Sequence, residues 1–503
     1  MEYRKKKKQM CSNWVLAIFI IVAVLLIAAA AIFKHVAETD SKKRLKEIDR
    51  EIQYQGLVTH LKKIDTIHEG RWFEANINTT ANYIEKTLSA YIGHYYESER
   101  RPVSVTAYDL LPGTAVLGAI FSGSQVNYVP GLDFSVEVPP ACSVDINDTL
   151  TVVQGDGCVP GDYAEGSLSI VRTTTRCSFD ARVAAAAEAN VTGLIVILEP
   201  GAEVADPAKR RTVMRPLPVF TVRDPAGAAL VIAVESGAKA GLTVSVHIAA
   251  EFNTTVKTSY NLLISSKIHK TNDTVVVGAQ MDSSPLAGPA VNDNGSGMAA
   301  VLEFAKLAAQ YNIFKSAQQK VVFAFWGLGE EGQLGSIGYL ESIKGTAEFD
   351  SIVAYVNAYM LGSPNYAYFV TDAAGASGEM YNASAYINYK LAGKYIKSKA
   401  GKCEVAAPAD IDSDHLSFWN AGIPSTNICS GADGWKTAEE YEKYGGYIYA
   451  PYDSCYHRTC DNLKHLNKKP FELLAKAVAY TAESLIVEKD VRTVLANGGK
   501  AHN

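Results

Sequence analysis

The sequence predicts an α/β protein. A mostly parallel mixed sheet is sandwiched by helices, interrupted by a smaller inserted α/β unit, and preceded by a transmembrane helix. Three observations carry this. Between Thr274 and Glu488, short apolar runs alternate with helical stretches, the pattern of a parallel sheet with helices on its faces. Within that region Val321 to Trp326 is unbroken apolar sequence ending in a Gly-rich turn that carries Glu330-Glu331. Such a run reads as a strand buried on both faces. Finally, Trp14 to Phe33 holds 20 residues without a charge, long enough to cross a bilayer as a helix.

Taken in order, residues 1–13 form a basic tail (Arg4 to Lys8) and residues 14–33 the anchor. Positive charge stays in the cytosol, so a single-pass type II protein with its bulk extracellular or luminal is expected. A cleaved signal peptide is the rival reading; its apolar core of about 7–15 residues is shorter than this one. Seven N-x-S/T sequons (Asn78, Asn147, Asn190, Asn253, Asn272, Asn294, Asn382) agree with a glycoprotein of the secretory route. Of eight cysteines, Cys11 lies on the expected cytosolic side, as a free thiol or a palmitoylation site. The other seven would meet an oxidising compartment, and an odd number leaves at least one without an intrachain partner.

Residues 34–117 read as a stalk and the first part of the main domain. Leu45, Ile48, Ile52, Leu57, Leu61 and Ile64 give Asp40 to Ile67 an amphipathic helical spacing. Ala75 to Tyr95 is a second helix and Val103 to Tyr108 a short strand. Residues 118–252 form the insert, with strands at Leu168–Val171, Leu194–Leu198, Val219–Val222 and Leu242–Ile248 and helices at Ala181–Asn190 and Ala226–Ser236. It holds no metal-ligand cluster, and the charged run Asp206 to Arg211 reads as a solvated loop. Residues 253–490 resume the alternation: strands Thr274–Gly278, Gln319–Trp326 and Ser351–Val356; helices Gly297–Tyr311, Gly335–Ile343, Ser384–Lys399 and Pro470–Glu488. Residues 491–503 are read as a tail. A net charge of −5 and a pI near 6.1 exclude a nucleic-acid footprint.

The chemistry gathers at strand ends. Glu330-Glu331 follows one strand and Asp282 another, while Asp293-Asn294-Gly295-Ser296-Gly297 opens a helix. Open α/β sheets place their ligands at this edge. Cys455 and Cys460 bracket a small loop, Cys455-Tyr456-His457-Arg458-Thr459-Cys460-Asp461, which a disulfide would clamp around His457. An Asp, a Glu and a His on three such loops supply the mixed O and N donors of a Zn²⁺ site.

These segments resemble the secreted and vacuolar zinc aminopeptidases, whose family also includes glutamate carboxypeptidases, glutaminyl cyclases and the transferrin receptor. The resemblance runs from about residue 41 to 490. It rests on Asp293 to Gly297, on Trp326-x-x-x-Glu330-Glu331-x-x-Leu334-Gly335-Ser336-x-x-Tyr339, and on Gly362 to Asn365. Ser413-Asp414-His415 before Ala421 to Pro424, and the Cys455–Asp461 loop, complete it. The insert resembles a protease-associated domain through Gly157-Cys158, Arg176 to Phe179 and Val191 to Leu198. The resemblance implies a zinc exopeptidase-like fold acting on peptides. Asp293 would bridge two metals, Glu331 and His457 would ligate one of them, Glu330 would be the general base, and Tyr456 would stabilise the oxyanion. Asp414 and Trp435 are implied at the substrate rim.

The chain departs from that pattern at the other metal. Gln280 stands where the family has a His, and Tyr359 where it has an Asp. An amide oxygen is a weak donor for Zn²⁺, and a phenol must lose a proton whose ordinary pKa is about 10. The expectation is therefore one zinc held by Asp293, Glu331 and His457, beside a degenerate site. Three functions follow: an aminopeptidase working with one zinc, an inactive pseudopeptidase acting as receptor or scaffold for a protein ligand, and a glutaminyl cyclase-like enzyme.

Overall fold

The computed structural model describes residues 50–499, apart from residues 68–69, 72, 175, 199–214, 285–286 and 408–409. The expected anchor, Cys11, the start of the stalk helix and the Asp206–Arg211 run lie outside the described residues. No helix among the described residues is long and apolar enough to cross a membrane. The type II membrane localisation expected from residues 14–33 is corrected accordingly and is not carried forward.

Helices α1 (Tyr54–Ile64) and α2 (Phe73–Leu88) lead into strand β1 (Tyr96–Leu110). The insert follows with β2 (Val116–Phe121), β3 (Ser124–Asn127), β4 (Phe134–Val136), β5 (Ser143–Val152), β6 (Leu168–Arg172), α3 (Phe179–Glu188), β7 (Gly193–Ile197), β8 (Val219–Val222) and α4 (Asp224–Lys239). Strand β9 (Ser245–Ser266) returns the chain to the main unit. There come β10 (Thr274–Gln280), α5 (Gly297–Gln310), β11 (Lys320–Trp326), α6 (Leu334–Ile343), α7 (Ala347–Ser351), β12 (Ile352–Tyr359) and β13 (Phe369–Thr371). The chain closes with α8 (Gly378–Ala385), α9 (Gly393–Ala400), β14 (Glu404–Ala406), α10 (His415–Asn420), β15 (Ser425–Cys429), α11 (Ala438–Tyr444), α12 (Lys468–Ile486) and α13 (Val491–Ala496).

The strands run in the order β14-β13-β15-β12-β10-β11-β9-β5-β6-β7-β8-β4. At the centre of the main unit, β10, β11, β12 and β15 are mutually parallel, and β9 closes antiparallel on β11. Every residue of β10, β12 and β15 is buried, as expected of a sheet covered on both faces. The register pairs Gln280 with Trp326 and Tyr359 with Cys429, so the carboxyl ends of these strands share one edge.

On one face α1, α5 and α12 pack over Val275, Val277, Phe323 and Phe325. On the other, Trp326, Tyr339, Tyr355 and Phe418 form an aromatic layer under α6 and α10. Tyr355 stacks on Phe418 at 4.0 Å, and its hydroxyl accepts the Trp326 indole N–H at 2.8 Å. Gly278 is required beneath this layer: a Cβ there would lie 2.7 Å from both the Trp326 Nε1 and the Tyr355 hydroxyl.

In the insert, β5, β6, β7 and β8 run parallel, with β4 antiparallel on β8. Its core stacks Phe134 on Phe220 at 5.8 Å and is sealed by Val246 and Ile248 of β9. Strand β9 thus serves both units: its first part pairs with β5 and β2, its second with β1 and β11. A disulfide joins Cys158 to Cys177. Cys142, Cys403 and Cys429 are free.

Candidate metal and catalytic centre

The shared strand edge is fixed by hydrogen bonds between loops. Asp282, just past β10, is fully buried and accepts the main-chain N–H groups of Gly329 (2.8 Å) and Glu330 (3.1 Å). The turn after β11 is thereby tied to the loop after β10. Asp293 sits in the turn Val291–Ser296 that opens α5 and precedes a cis peptide to Asn294. Asp461 accepts the N–H groups of Asn292 (2.8 Å) and Asp293 (2.9 Å). Asn294 completes the turn: its amide donates to Ala358 O at 2.9 Å and accepts the Met360 N–H at 2.9 Å. Gly297 leaves room for this contact, since a Cβ there would collide with the Ala358 carbonyl. The expected Cys455–Cys460 disulfide is present and holds His457, whose ring stacks on Tyr456 at 3.9 Å.

These loops bring three side chains together. Ligand atoms of Asp293, Glu330 and His457 all lie within 4.8 Å of one another. His457 Nε2 stands 3.0 Å from Glu330 Oε2 and 3.3 Å from Asp293 Oδ2. Glu330 Oε1 also accepts the Gln280 amide N–H at 2.5 Å.

The electrostatics of this group call for a cation. Asp293 is 0% exposed, and neither carboxylate oxygen has a hydrogen-bond donor among the described residues. Burial and the Glu330 charge push its carboxyl well above the ordinary range. Burial opposes the charge on His457, yet Glu330 and Asp293 beside it drive the imidazole up to about 9. Burial also opposes ionisation of Glu330, but His457 and the Gln280 amide hold it below its ordinary value. An orphaned buried carboxylate facing an imidazole and a second carboxylate is a donor set that fits a divalent ion.

The other expected residues fall around this trio. Glu331 is buried on the same turn, but its carboxylate is not among the converging ligand atoms. Tyr456 and Tyr359 approach hydroxyl to hydroxyl at 3.5 Å, and burial keeps both phenols protonated far above their ordinary range. Gln280 reaches the centre through Glu330. Trp435, 41% exposed, pairs in an antiparallel bridge with Pro451, on the loop leading to Tyr456. Asp414 is wholly buried rather than surface-lying; one oxygen accepts the Ser336 hydroxyl at 2.7 Å and the other has no donor among the described residues. Asp453 is a supporting residue of this centre that sequence reasoning misses. It accepts from Asn292 Nδ2 (2.6 Å) and faces His465 Nε2 (2.8 Å), so it braces the turn that carries Asp293. A lone Asp in a loop gives no signal of this.

Asp414 yields a pH prediction. Burial pushes its carboxyl up to about 7, against the opposing Ser336 hydrogen bond, from an ordinary 3.8. The folded chain therefore retains a proton that the unfolded chain releases. Stability from this group is present below the ordinary pKa and lost as pH rises through the folded one. Asp414→Asn should gain stability relative to wild type between about pH 4 and pH 7, then hold that gain at higher pH. Melting temperatures of both proteins across this range check it; a pH-independent difference would contradict it.

Comparison with known proteins places this centre. The sequence profile of peptidase family M28 matches residues 261–482. An aminopeptidase of Pseudomonas aeruginosa is 30% identical over 484 residues, covering 91% of this chain and 85% of its own. A probable leucine aminopeptidase 2 of Aspergillus oryzae is 30% identical over 350 residues, covering 67% of each chain. Among solved structures, an aminopeptidase from Aneurinibacillus sp. strain AM-1 superposes with a TM-score of 0.60 at 18% identity, covering 87% of this chain and 95% of its own. A zinc aminopeptidase from Bacillus subtilis gives 0.55 at 17% identity, covering 87% and 96%. The parallel sheet, the loops at its carboxyl edge and this match over nearly the whole sequence agree, and the chain belongs to peptidase family M28.

Proposed function

We propose that the protein is a zinc aminopeptidase, cleaving the N-terminal residue from peptides, and that it works with a single zinc. The observation that carries the reading is the buried Asp293 carboxylate, without a hydrogen-bond donor to either oxygen among the described residues, converging on His457 and Glu330. The relatives named aminopeptidase support the activity, and the likeness to the zinc aminopeptidase from Bacillus subtilis supports the metal.

Asp293 and His457 would hold the ion; the family resemblance implies Glu331 as the third donor, and its carboxylate, which stands outside the converging group, would have to turn toward the ion to serve. When bound, zinc supplies a Lewis acid for the peptide carbonyl and makes water acidic enough to attack. Glu330 takes the proton of the attacking water and passes it to the leaving amine. Two contacts suit it to this proton transfer, since Gln280 fixes one oxygen and the other faces His457. Asp282 holds the Glu330 main chain, so the carboxylate keeps its position as the proton moves. The Tyr456 hydroxyl, protonated by burial, donates to the oxygen that becomes negative in the transition state. The insert is proposed as a protease-associated domain that gates access to this edge.

Zinc content of the purified protein, with release of amino acids from chromogenic amino-acid amides, tests the reading. About one zinc and measurable release support it. Zinc without release would favour the pseudopeptidase, and cyclisation of an N-terminal glutamine would favour the cyclase.

The single ion has a consequence for the residues beside it. Gln280 offers only a neutral amide oxygen, its N–H being donated to Glu330, and burial holds Tyr359 as a protonated phenol; both are poorer zinc donors than the family's imidazole and carboxylate. Restoring the family's donors with the double substitution Gln280→His and Tyr359→Asp should raise zinc from about one to about two per chain, since imidazole and carboxylate are ordinary zinc ligands. Unchanged stoichiometry in the folded variant would contradict the assignment of those positions.

A further inference from the structure

Arg71 is 0% exposed and lies between α1 and α2, outside the segment matched by the family profile. A guanidinium carries five N–H donors in a rigid fork. Here they reach main-chain carbonyls between β10 and α5, at residues 281–282 and 289–293. Nε donates to Met281 O at 3.0 Å; Nη1 donates to Pro289 O and to Ala290 O (3.2 Å); Nη2 donates to Asp282 O (3.5 Å) and Asp293 O (3.4 Å). The Arg71 main-chain N–H adds a bond to Ser283 Oγ at 2.9 Å. The 281–293 loop carries Asp282 at one end and Asp293 at the other. Five carbonyls converging on a point would leave costly unsatisfied acceptors in a dry interior without such a partner.

We propose that Arg71 is a positioning residue. Its fork gathers the 281–293 loop from behind, sets the Asp293 carboxylate toward His457, and so preorganises the metal centre from a segment outside the matched region. The metal part of this proposal rests on the zinc reading above; the loop part does not. The segment holding Arg71 is itself anchored, since Asn76 Nδ2 donates to Gly70 O at 2.8 Å. The geometry of the fork is the working feature. Lysine would keep the positive charge, but its compact ammonium has three donors on a flexible stem and cannot span the same set of carbonyls.

The test uses the full chain, stripped of metal, as wild type, Arg71→Lys and Asn76→Ala. Amide hydrogen exchange across residues 281–293 is measured first, then zinc affinity by chelator competition. Arg71→Lys is expected to raise exchange in that loop about tenfold or more, as loss of local structure does. It should weaken zinc binding about 10- to 100-fold, the usual effect of losing a supporting contact behind a metal ligand. Exchange in β11 and β12 should stay as in wild type, which a general loss of stability would not leave untouched. Asn76→Ala, which loosens only the anchor of Arg71, should move both readouts the same way by less, and it decides the matter if Arg71→Lys does not fold. Folded variants with wild-type exchange in the loop would overturn the proposal. If wild type binds no zinc, the zinc reading fails, while the exchange arm still decides whether Arg71 holds the loop.

Discussion

Glu330→Gln is expected to lower kcat by about 10²- to 10⁴-fold, the usual contribution of a positioned general base, with KM and zinc content nearly unchanged. The substitution keeps the shape of the side chain and can still receive the Gln280 amide N–H through its remaining carbonyl oxygen. What it removes is the group that accepts the proton. The companion variant Glu331→Gln should behave in the opposite sense, losing zinc first and activity as a consequence. Zinc content and initial rates for both variants separate the two roles. If Glu330→Gln loses zinc and Glu331→Gln retains it, the assignments within the pair are reversed.

Asp293→Asn should abolish zinc binding and activity while stabilising the metal-free protein. Both effects come from the same carboxylate. It is fully buried without a hydrogen-bond donor to either oxygen among the described residues, and Glu330 stands beside it. Burial and the neighbouring Glu330 charge oppose its ionisation, and a neutral isostere removes that cost while leaving His457 paired with Glu330. Zinc should stabilise wild type by about 4 kcal/mol at a free concentration near a thousand times Kd, by mass action alone. The variant should show no such response. Thermal unfolding of both proteins, with chelator and with excess zinc, measures the pair of effects. A metal-free variant less stable than metal-free wild type would mean that Asp293 has a structural partner other than the ion.

Much of the centre is legible in the sequence because its residues obey rules of position. Glu330 follows an apolar strand, Asp293 opens a helix, and His457 lies between two cysteines that do bond. Each rule is local, and the parallel register then brings the loops to one edge. Long-range hydrogen bonds are not legible in this way. Nothing in the sequence shows that Gln280 turns its amide onto Glu330, or that Arg71 crosses some 210 positions to hold the loop after β10. Asp414, implied at the substrate rim by resemblance, is buried against Ser336 because α6 and α10 close over it.

The fold shows the same division. Strands covered on both faces, such as β10 and β11, announce themselves by unbroken apolar sequence. Strand β1 is legible only over Val103 to Tyr108 but runs from Tyr96 to Leu110, and β9 extends on to Ser266 past the expected end at Ile248. Both cross between units as a ribbon with exposed polar faces, as at Asn253 to Val256, where no buried face imposes an alternation.

Anomalous diffraction at the zinc edge, from crystals grown with zinc, tests most directly whether the centre holds a single ion. One strong peak per chain is expected, within bonding reach of Asp293 Oδ and His457 Nε2 and beside the Glu330 carboxylate. No peak at that position, or a second of equal strength between Gln280 and Tyr359, would contradict the single-zinc centre.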